Sequence, residues 1–336
     1  MKLAPSGRTL IIQPLPGIGD MVWHLPHLHA IAATTVSGQI DLLTKPRSQA
    51  DRLLAADPSV GRVLWLDRDS DHAGWRGLFR LAALLRQGGY QRVWILHGSA
   101  RYALAARLAG IPERIGYGVG WQVALLNGPG RLPPVLRHAH PIRRADALLD
   151  LLDIPRPEPE PCLRVAAEAD QALAERFSAW PLPWIALGIG SSEPWKQWGA
   201  ARFAELVLAF RHQQAGSIFI IGGPAERALT DELLMRIRAA GGQAADAVAL
   251  PLEQTAALLA RCCAYLGNDT GVLNMAAALQ TPALGLFGGS PPLWHSRFIH
   301  PITPPEGESG MAAITVLHVL EPLLRLIQSN VHQDLA

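Results

Sequence analysis

A short apolar run, then a stretch of helical spacing, recurs along this chain in two separate series. Residues 9–12, 39–44, 62–66 and 92–96 read as strands. Residues 20–33, 48–56, 76–87 and 100–109 read as helices, the last stopped by Gly110. Parallel strands need a crossover long enough to hold a helix, so this alternation predicts βαβ units around a parallel sheet. The pattern breaks at Pro155-Arg156-Pro157-Glu158-Pro159-Glu160-Pro161. Proline at every second position removes backbone donors and favours extended geometry, so this run reads as a stiff linker. The grammar then restarts, with strands at 184–187, 217–221, 264–266 and 282–287. Helices are expected at 200–213, 226–240, 252–262, 272–279 and 316–328.

The expected fold class is therefore α/β. A Rossmann-like domain spans 1–154, the linker 155–162 and a second Rossmann-like domain 163–315. The C-terminal segment 316–336 is a helix placed to pack back on the first domain. Ligands of open α/β sheets bind beyond the carboxyl ends of the strands, where the glycine-rich turns lie. The site is thus expected in a cleft between the two domains.

At 336 residues the chain has room for two cores, and 49% hydrophobic against 17% charged residues excludes disorder. Lys and Arg number 30 against 28 Asp and Glu, a balance that argues against a nucleic-acid binder. The balance is uneven. Residues 1–160 carry 19 basic and 13 acidic side chains, and 101–150 carry seven arginines against three acids. An anionic partner for the first half is the sharper reading, ordinary solvated arginine the plainer one. Cys162, Cys262 and Cys263 form no CxxC pattern, which speaks against a disulfide framework or a cysteine-based zinc site and fits a reducing compartment. The apolar run 10–12 is too short for a signal-peptide core, and no 18-residue apolar run occurs. A cytoplasmic protein is expected, with contact to a membrane surface left open.

Three turns carry chemistry. In Leu15-Pro16-Gly17-Ile18-Gly19-Asp20 the dinucleotide fingerprint fails, because Val22 holds the third glycine position and Asp41 precedes its strand's apolar core. Asp20 is either a helix N-cap, the commoner use of such a carboxylate, or a general base. In Gly190-Ser191-Ser192-Glu193-Pro194-Trp195-Lys196-Gln197-Trp198, hydroxyls and a lysine beside a helix start suit an anion, although the Walker ending is absent. In Gly267-Asn268-Asp269-Thr270-Gly271 a polar turn precedes a small-residue helix, which suits a diphosphate. Asp269 would repel that anion unless it caps the helix or binds a hydroxyl, and capping the helix or fixing the loop is its expected role. Asp67-Arg68-Asp69-Ser70-Asp71 reads as a solvated acidic loop. His24, His27 and His29 read as surface or core-edge residues, and Trp195 and Trp198 as packing.

Taken together, Pro16-Gly17-Ile18-Gly19-Asp20-Met21-Val22, Leu25-Pro26, the Lys196 turn, Ile221-Gly222-Gly223-Pro224-Ala225-Glu226, Gly267-Asn268-Asp269-Thr270-Gly271 and the close Gly310-Met311 to Val316 resemble glycosyltransferase family 9. That is the heptosyltransferase family of lipopolysaccharide core synthesis. The resemblance implies a GT-B fold of two Rossmann-like domains facing an inter-domain cleft. It implies an inverting, metal-independent transfer of heptose from ADP-L-glycero-β-D-manno-heptose to a Kdo–lipid A inner core. Asp20 would be the base. Ser191, Ser192, Lys196, Gly222, Glu226, Leu252, Asp269, Thr270, Gly271, Asn274 and Ser290 would form the donor set. Gly17, Gly19, Arg101, Arg143 and Arg144 would meet the acceptor. No cofactor and no metal are expected. The partners would be an ADP-sugar, an anionic glycolipid and the inner-membrane surface. Asn274 stands where the family usually has His, Gly289 where it has Pro, and the family's C-terminal cysteines are missing. Transfer of another nucleotide sugar, nucleotide-sugar epimerisation and non-catalytic sugar binding remain alternatives.

Overall fold

The computed structural model describes residues 4–66, 72–191, 193–293 and 296–333. The chain divides into two compact units, 1–162 and 163–336. The acidic run 67–71 and Ser192 lie outside the described residues.

The first unit comprises β1 (Thr9–Ile12), α1 (Ile18–Ala32), β2 (Ile40–Thr44), α2 (Ala50–Leu53), β3 (Val60–Trp65), α3 (Gly74–Gln87), β4 (Arg92–Ile95), α4 (Ala100–Leu108), β5 (Glu113–Gly116) and α5 (Pro141–Leu151). Its five strands are parallel in the order β3-β2-β1-β4-β5. Every residue of β1 is buried, and helices on both sheet faces explain why its Leu-Ile-Ile runs on without polar alternation. β5 escapes a reading by apolar runs because half of it is charged. It pairs in register with β4, and the buried Arg92 guanidinium meets Glu113 at 2.6 Å across that register.

The second unit comprises α6 (Ala167–Arg176), β6 (Trp184–Gly188), α7 (Ala200–Gln213), β7 (Ser217–Ile221), α8 (Arg227–Ala239), β8 (Ala245–Asp246), α9 (Leu252–Arg261), β9 (Ala264–Asn268), α10 (Gly271–Ala278), β10 (Ala283–Leu286), β11 (Ile299–Ile302) and α11 (Val316–Gln333). Its parallel sheet runs β11-β10-β9-β6-β7-β8. α11 lays Val319, Leu320, Leu323 and Ile327 into the core shared with Phe203 and Phe210 of α7. These residues of its apolar face are thus spent within its own unit. The residues 155–161 form neither helix nor strand.

In each sheet the strand order reverses once, between β1 and β4 and between β6 and β9. Loops on either side of a reversal diverge and leave a crevice at the carboxyl edge, so each unit offers one preferred place for a ligand.

Candidate functional site

The second unit's crevice is built by three strand ends. β6 leads through Gly190 and Ser191 into a 3-10 turn, Pro194–Lys196, and β9 leads through Asp269 into α10. Lys196 Nζ lies 2.6 Å from Asp269 Oδ2. Ser290 Oγ, on the turn after β10, donates to the same oxygen at 2.7 Å. Of the two uses expected for Asp269, fixing the loop is the one found. The N-cap of α10 is Thr270, and no side chain caps it.

Asn268 braces this node from behind, a role the sequence reading missed. Fully buried, it donates through Nδ2 to the Ile189 and Gly190 carbonyls (3.1 Å each) and to Gln197 Oε1 (3.0 Å). Its Oδ1 accepts from the Trp198 amide at 3.3 Å. The signal was an asparagine ending an apolar strand, since a buried amide must find partners. Trp198 is packing, as expected, with its indole N–H on the Ile314 carbonyl. Trp195 is half-exposed, and the Lys196 ammonium sits 5.2 Å from its ring centroid.

At the β7 end, Glu226 Oε2 accepts from the Gly223 amide at 2.7 Å. A Cβ on Gly222 would come within 3.0 Å of the Glu226 side chain, and one on Gly190 within 3.6 Å, so these bare positions let the carboxylate lie against both turns. Leu252 is buried at the head of α9. Two buried acceptors, Glu253 Oε2 and Asn274 Oδ1, have no partner among the described residues. Orphaned buried acceptors are open to a ligand's donors.

In the first unit, Asp20 lies at the end of the β1–α1 turn. It is not the N-cap. Gly17 is, and Asp20 stands three residues further on, reaching back so that Oδ2 accepts the Gly17 amide at 3.1 Å. A Cβ on Gly17 would sit 2.8 Å from that oxygen, so a side chain there would displace the Asp20 carboxylate. Burial raises the Asp20 pKa, and the Gly17 amide and His140 oppose it. The carboxylate is thus both a helix-start contact and a base of more than ordinary strength. Gly19 lies in the first turn of α1.

A cationic group neighbours the ends of β2 and β4. Burial, followed by the Arg144 and Lys45 charges, holds His97 below the ordinary imidazole range. The Ser99 amide donates to His97 Nδ1 at 3.0 Å, which leaves Nε2 to carry the proton of the neutral ring. Arg144 stacks over Tyr117 at 5.3 Å, and its Nε is buried with no partner among the described residues. Lys45 and His97 were missed by sequence reading, and their mark is that each closely follows a strand. Arg143 is exposed on the same helix. Arg101 is not part of this group. Its guanidinium donates to the His72 and Gly74 carbonyls and ties α4 to the start of α3.

His24 and His27, expected at the surface or core edge, are both buried, 5.5 Å apart between ring centroids. His27 Nε2 pairs with Asp146 at 3.0 Å and His29 Nε2 with Asp57 at 2.7 Å. His24 Nδ1 donates to the Asp20 carbonyl at 2.7 Å, and Nε2 has no partner among the described residues. A proton on Nε2 would be buried without an acceptor, and burial with His27 beside it lowers the His24 pKa to about 3. The folded state therefore refuses a proton that the unfolded chain accepts near pH 6.5. Stability from this group is complete above pH 6.5 and is lost as pH falls toward 3, at a limiting slope of about 1.4 kcal/mol per pH unit. His24→Leu should flatten the decline in urea midpoint between pH 6.5 and 4.5. A decline as steep as in the wild type would remove His24 as its cause. Asp57 and Asp146, whose pKa values are lowered, lose their contribution only below this window.

Residues 78–306 match the sequence profile of glycosyltransferase family 9 (heptosyltransferase). The chain belongs to that family. This family 9 glycosyltransferase is 29% identical over 312 residues to lipopolysaccharide heptosyltransferase 2 of Salmonella typhimurium, covering 88% of each chain. Its fold is GT-B. It is similar to the structure of Escherichia coli ADP-heptose LPS heptosyltransferase II, with a TM-score of 0.77 and 24% identity, covering 98% of this chain and 100% of the other. It is also similar to the E. coli heptosyltransferase WaaC with ADP-2-deoxy-2-fluoro heptose, with a TM-score of 0.67 and 18% identity, covering 95% and 99%. No helix among the described residues is long and apolar enough to cross a membrane.

Proposed function

We propose that this glycosyltransferase moves heptose from ADP-L-glycero-β-D-manno-heptose to the inner core of lipopolysaccharide, inverting the anomeric centre without a metal. The observation that carries the reading is the node where Lys196 and Ser290 converge on Asp269 at a sheet reversal. An ammonium has three donors and spends one on Asp269, so two remain for a diphosphate. Ser192, Thr270 and the α10 amides from Gly271 add donors for the same anion, and Ser191, whose hydroxyl now donates to the Glu193 carbonyl at 2.7 Å, would join them by turning that hydrogen to the ligand. As the glycosidic bond breaks, negative charge grows on the departing ADP, and these donors hold it more tightly in the transition state than before. Asp269, already anionic, favours a sugar hydroxyl and the positive charge developing on the anomeric carbon. Glu226, Glu253 Oε2 and Asn274 Oδ1 would accept from nucleotide hydroxyls or the adenine amine. Leu252 and Gly222 give the nucleotide apolar and close backbone contact.

Asp20 would remove the proton of the acceptor hydroxyl as the new bond forms, Oδ1 being the oxygen not held by Gly17. Lys45, His97 and Arg144, with Arg143 on the same helix, suit the carboxylates of an acidic sugar acceptor. Gly17 and Gly19 would leave that acceptor room at the turn. The enzyme would work in the cytoplasm at the inner-membrane surface.

A thermal-shift panel of nucleotide sugars tests the donor. ADP-heptose at a hundred times its Kd should stabilise by about 2.7 kcal/mol, with EDTA present or absent, and UDP- or GDP-linked sugars should not. Loss of transfer in EDTA would end the metal-free scheme. Turnover of the nucleotide sugar without an acceptor would favour an epimerase.

A further inference from the structure

From residue 72 to residue 112 the chain contains six arginines and no aspartate or glutamate. One of the six, Arg92, is buried against Glu113. Arg76, Arg80, Arg86, Arg101 and Arg107 lie on α3 and α4. These helices are neighbours, and α4 also packs on the 3-10 turn Gly120–Ala124. Arginines stitch the three together through backbone oxygens. Arg86 donates to the Leu108 carbonyl, Arg101 to Gly74 and Arg107 to Ala124. A carbonyl accepts a hydrogen bond without cancelling charge, so these three arginines keep their positive field.

The same surface bears apolar side chains. Among the described residues four aromatic side chains are largely exposed, and three of them are here: Trp75 (74%), Phe79 (61%) and Trp121 (85%). Trp75 and Phe79 are one helical turn apart and exposed, on a flank of α3 beside the buried stripe of Leu78, Leu81 and Leu85. Leu108 and Val123 extend the patch over α4 and the turn. Arginine and aromatic side chains also favour protein interfaces, but from residue 72 to residue 112 no acidic side chain accompanies them, so the surface presents cations and rings alone. Tryptophan and arginine together suit the boundary of a bilayer, with rings at headgroup depth and guanidinium groups on lipid phosphates.

We infer that the α3–α4 face with the turn Gly120–Ala124 docks the enzyme on an anionic membrane surface. The inference deepens the proposed function by naming the membrane-facing surface, and its test does not require sugar transfer. Wild-type protein should co-sediment with vesicles of phosphatidylcholine and phosphatidylglycerol, bind pure phosphatidylcholine far less, and be released by salt. Arg76→Glu should weaken binding at least fivefold, given the usual worth of one charge at such a surface. Trp75→Ala with Phe79→Ala should weaken it about tenfold or more. Both variants replace exposed side chains, so melting temperature and transfer to a water-soluble acceptor fragment should stay at wild-type values. Brominated lipid should quench tryptophan fluorescence in the wild type and less in Trp121→Phe. No vesicle binding, or binding indifferent to these substitutions, overturns the inference. Concentration-dependent self-association abolished by the same substitutions, without vesicle binding, would assign the face to a second copy of the chain. If vesicle binding holds and the soluble fragment is never glycosylated, the proposed reaction fails and this surface stands.

Discussion

Asp20→Asn should lower the rate of glycosyl transfer by about 10²–10⁴-fold, the usual contribution of a positioned general base. The substitution is nearly isosteric. An asparagine oxygen can still accept the Gly17 amide that Asp20 Oδ2 accepts at 3.1 Å, so the start of α1 should keep its geometry. What is lost is the ability to take a proton. Burial raises the Asp20 pKa, so the ionised carboxylate is held at some cost to folding at neutral pH. The amide carries no such cost, and the variant's melting temperature should match or exceed that of the wild type. Raised basicity has a kinetic signature as well. In the wild type kcat/KM should fall as pH drops through a pKa above the ordinary aspartate range, since only the deprotonated form is a base. That limb should be absent from the residual activity of Asp20→Asn. ADP binding should be unchanged, because the residues proposed to hold the donor lie in the other unit. Near-normal transfer by a folded variant would end the assignment of Asp20 as base and leave it as a helix-start contact alone.

Lys196→Ala should cost about 10²–10³-fold in kcat/KM, the range for removing one preorganised donor from a developing negative charge. The loss has two parts. The diphosphate loses a cation, and Asp269 loses the ammonium that lies 2.6 Å away. The bare Asp269 carboxylate would then repel the donor. The double variant Lys196→Ala/Asp269→Asn should therefore bind ADP more tightly than Lys196→Ala alone, a non-additivity expected of directly coupled groups. Catalysis need not recover with it, since Asp269 is also proposed to meet the sugar. Simple additivity of the two substitutions in ADP affinity would show that Asp269 does not face the anion. Wild-type kinetics in Lys196→Ala would remove the lysine from the donor site.

The strands of both sheets that are buried on both faces were legible because burial leaves only apolar residues acceptable there, as in Thr9–Ile12 and Ser217–Ile221. β5, β8 and β11 were not. Each is short or partly polar, and each pairs because a neighbouring strand already presents its backbone. α5 and α6 were missed beside the proline-rich linker, whose composition drew the reading away from periodicity. The turns with Asp20, Lys196 and Asp269 were visible as glycine and polar punctuation at strand ends. Their contents were not. Nothing in linear order says that residue 290 would share an oxygen with residue 196, or that Asn268 would tie Gly190 to Gln197.

By itself, then, the amino-acid order determined the two parallel α/β units, the break between them and the residue types available at each strand end. These follow from local propensity and from the periodicity of burial, which act over a few residues. Only tertiary structure decided that Asp20 folds back on Gly17, that Asp269 is held by Lys196 rather than capping its helix, and that His24 and His27 are interior. It alone gathered Lys45, His97 and Arg144 and kept Arg101 apart from them. Contacts of that kind depend on which strand lies beside which and on what remains unpaired once the backbone is satisfied, and sheet order settles both.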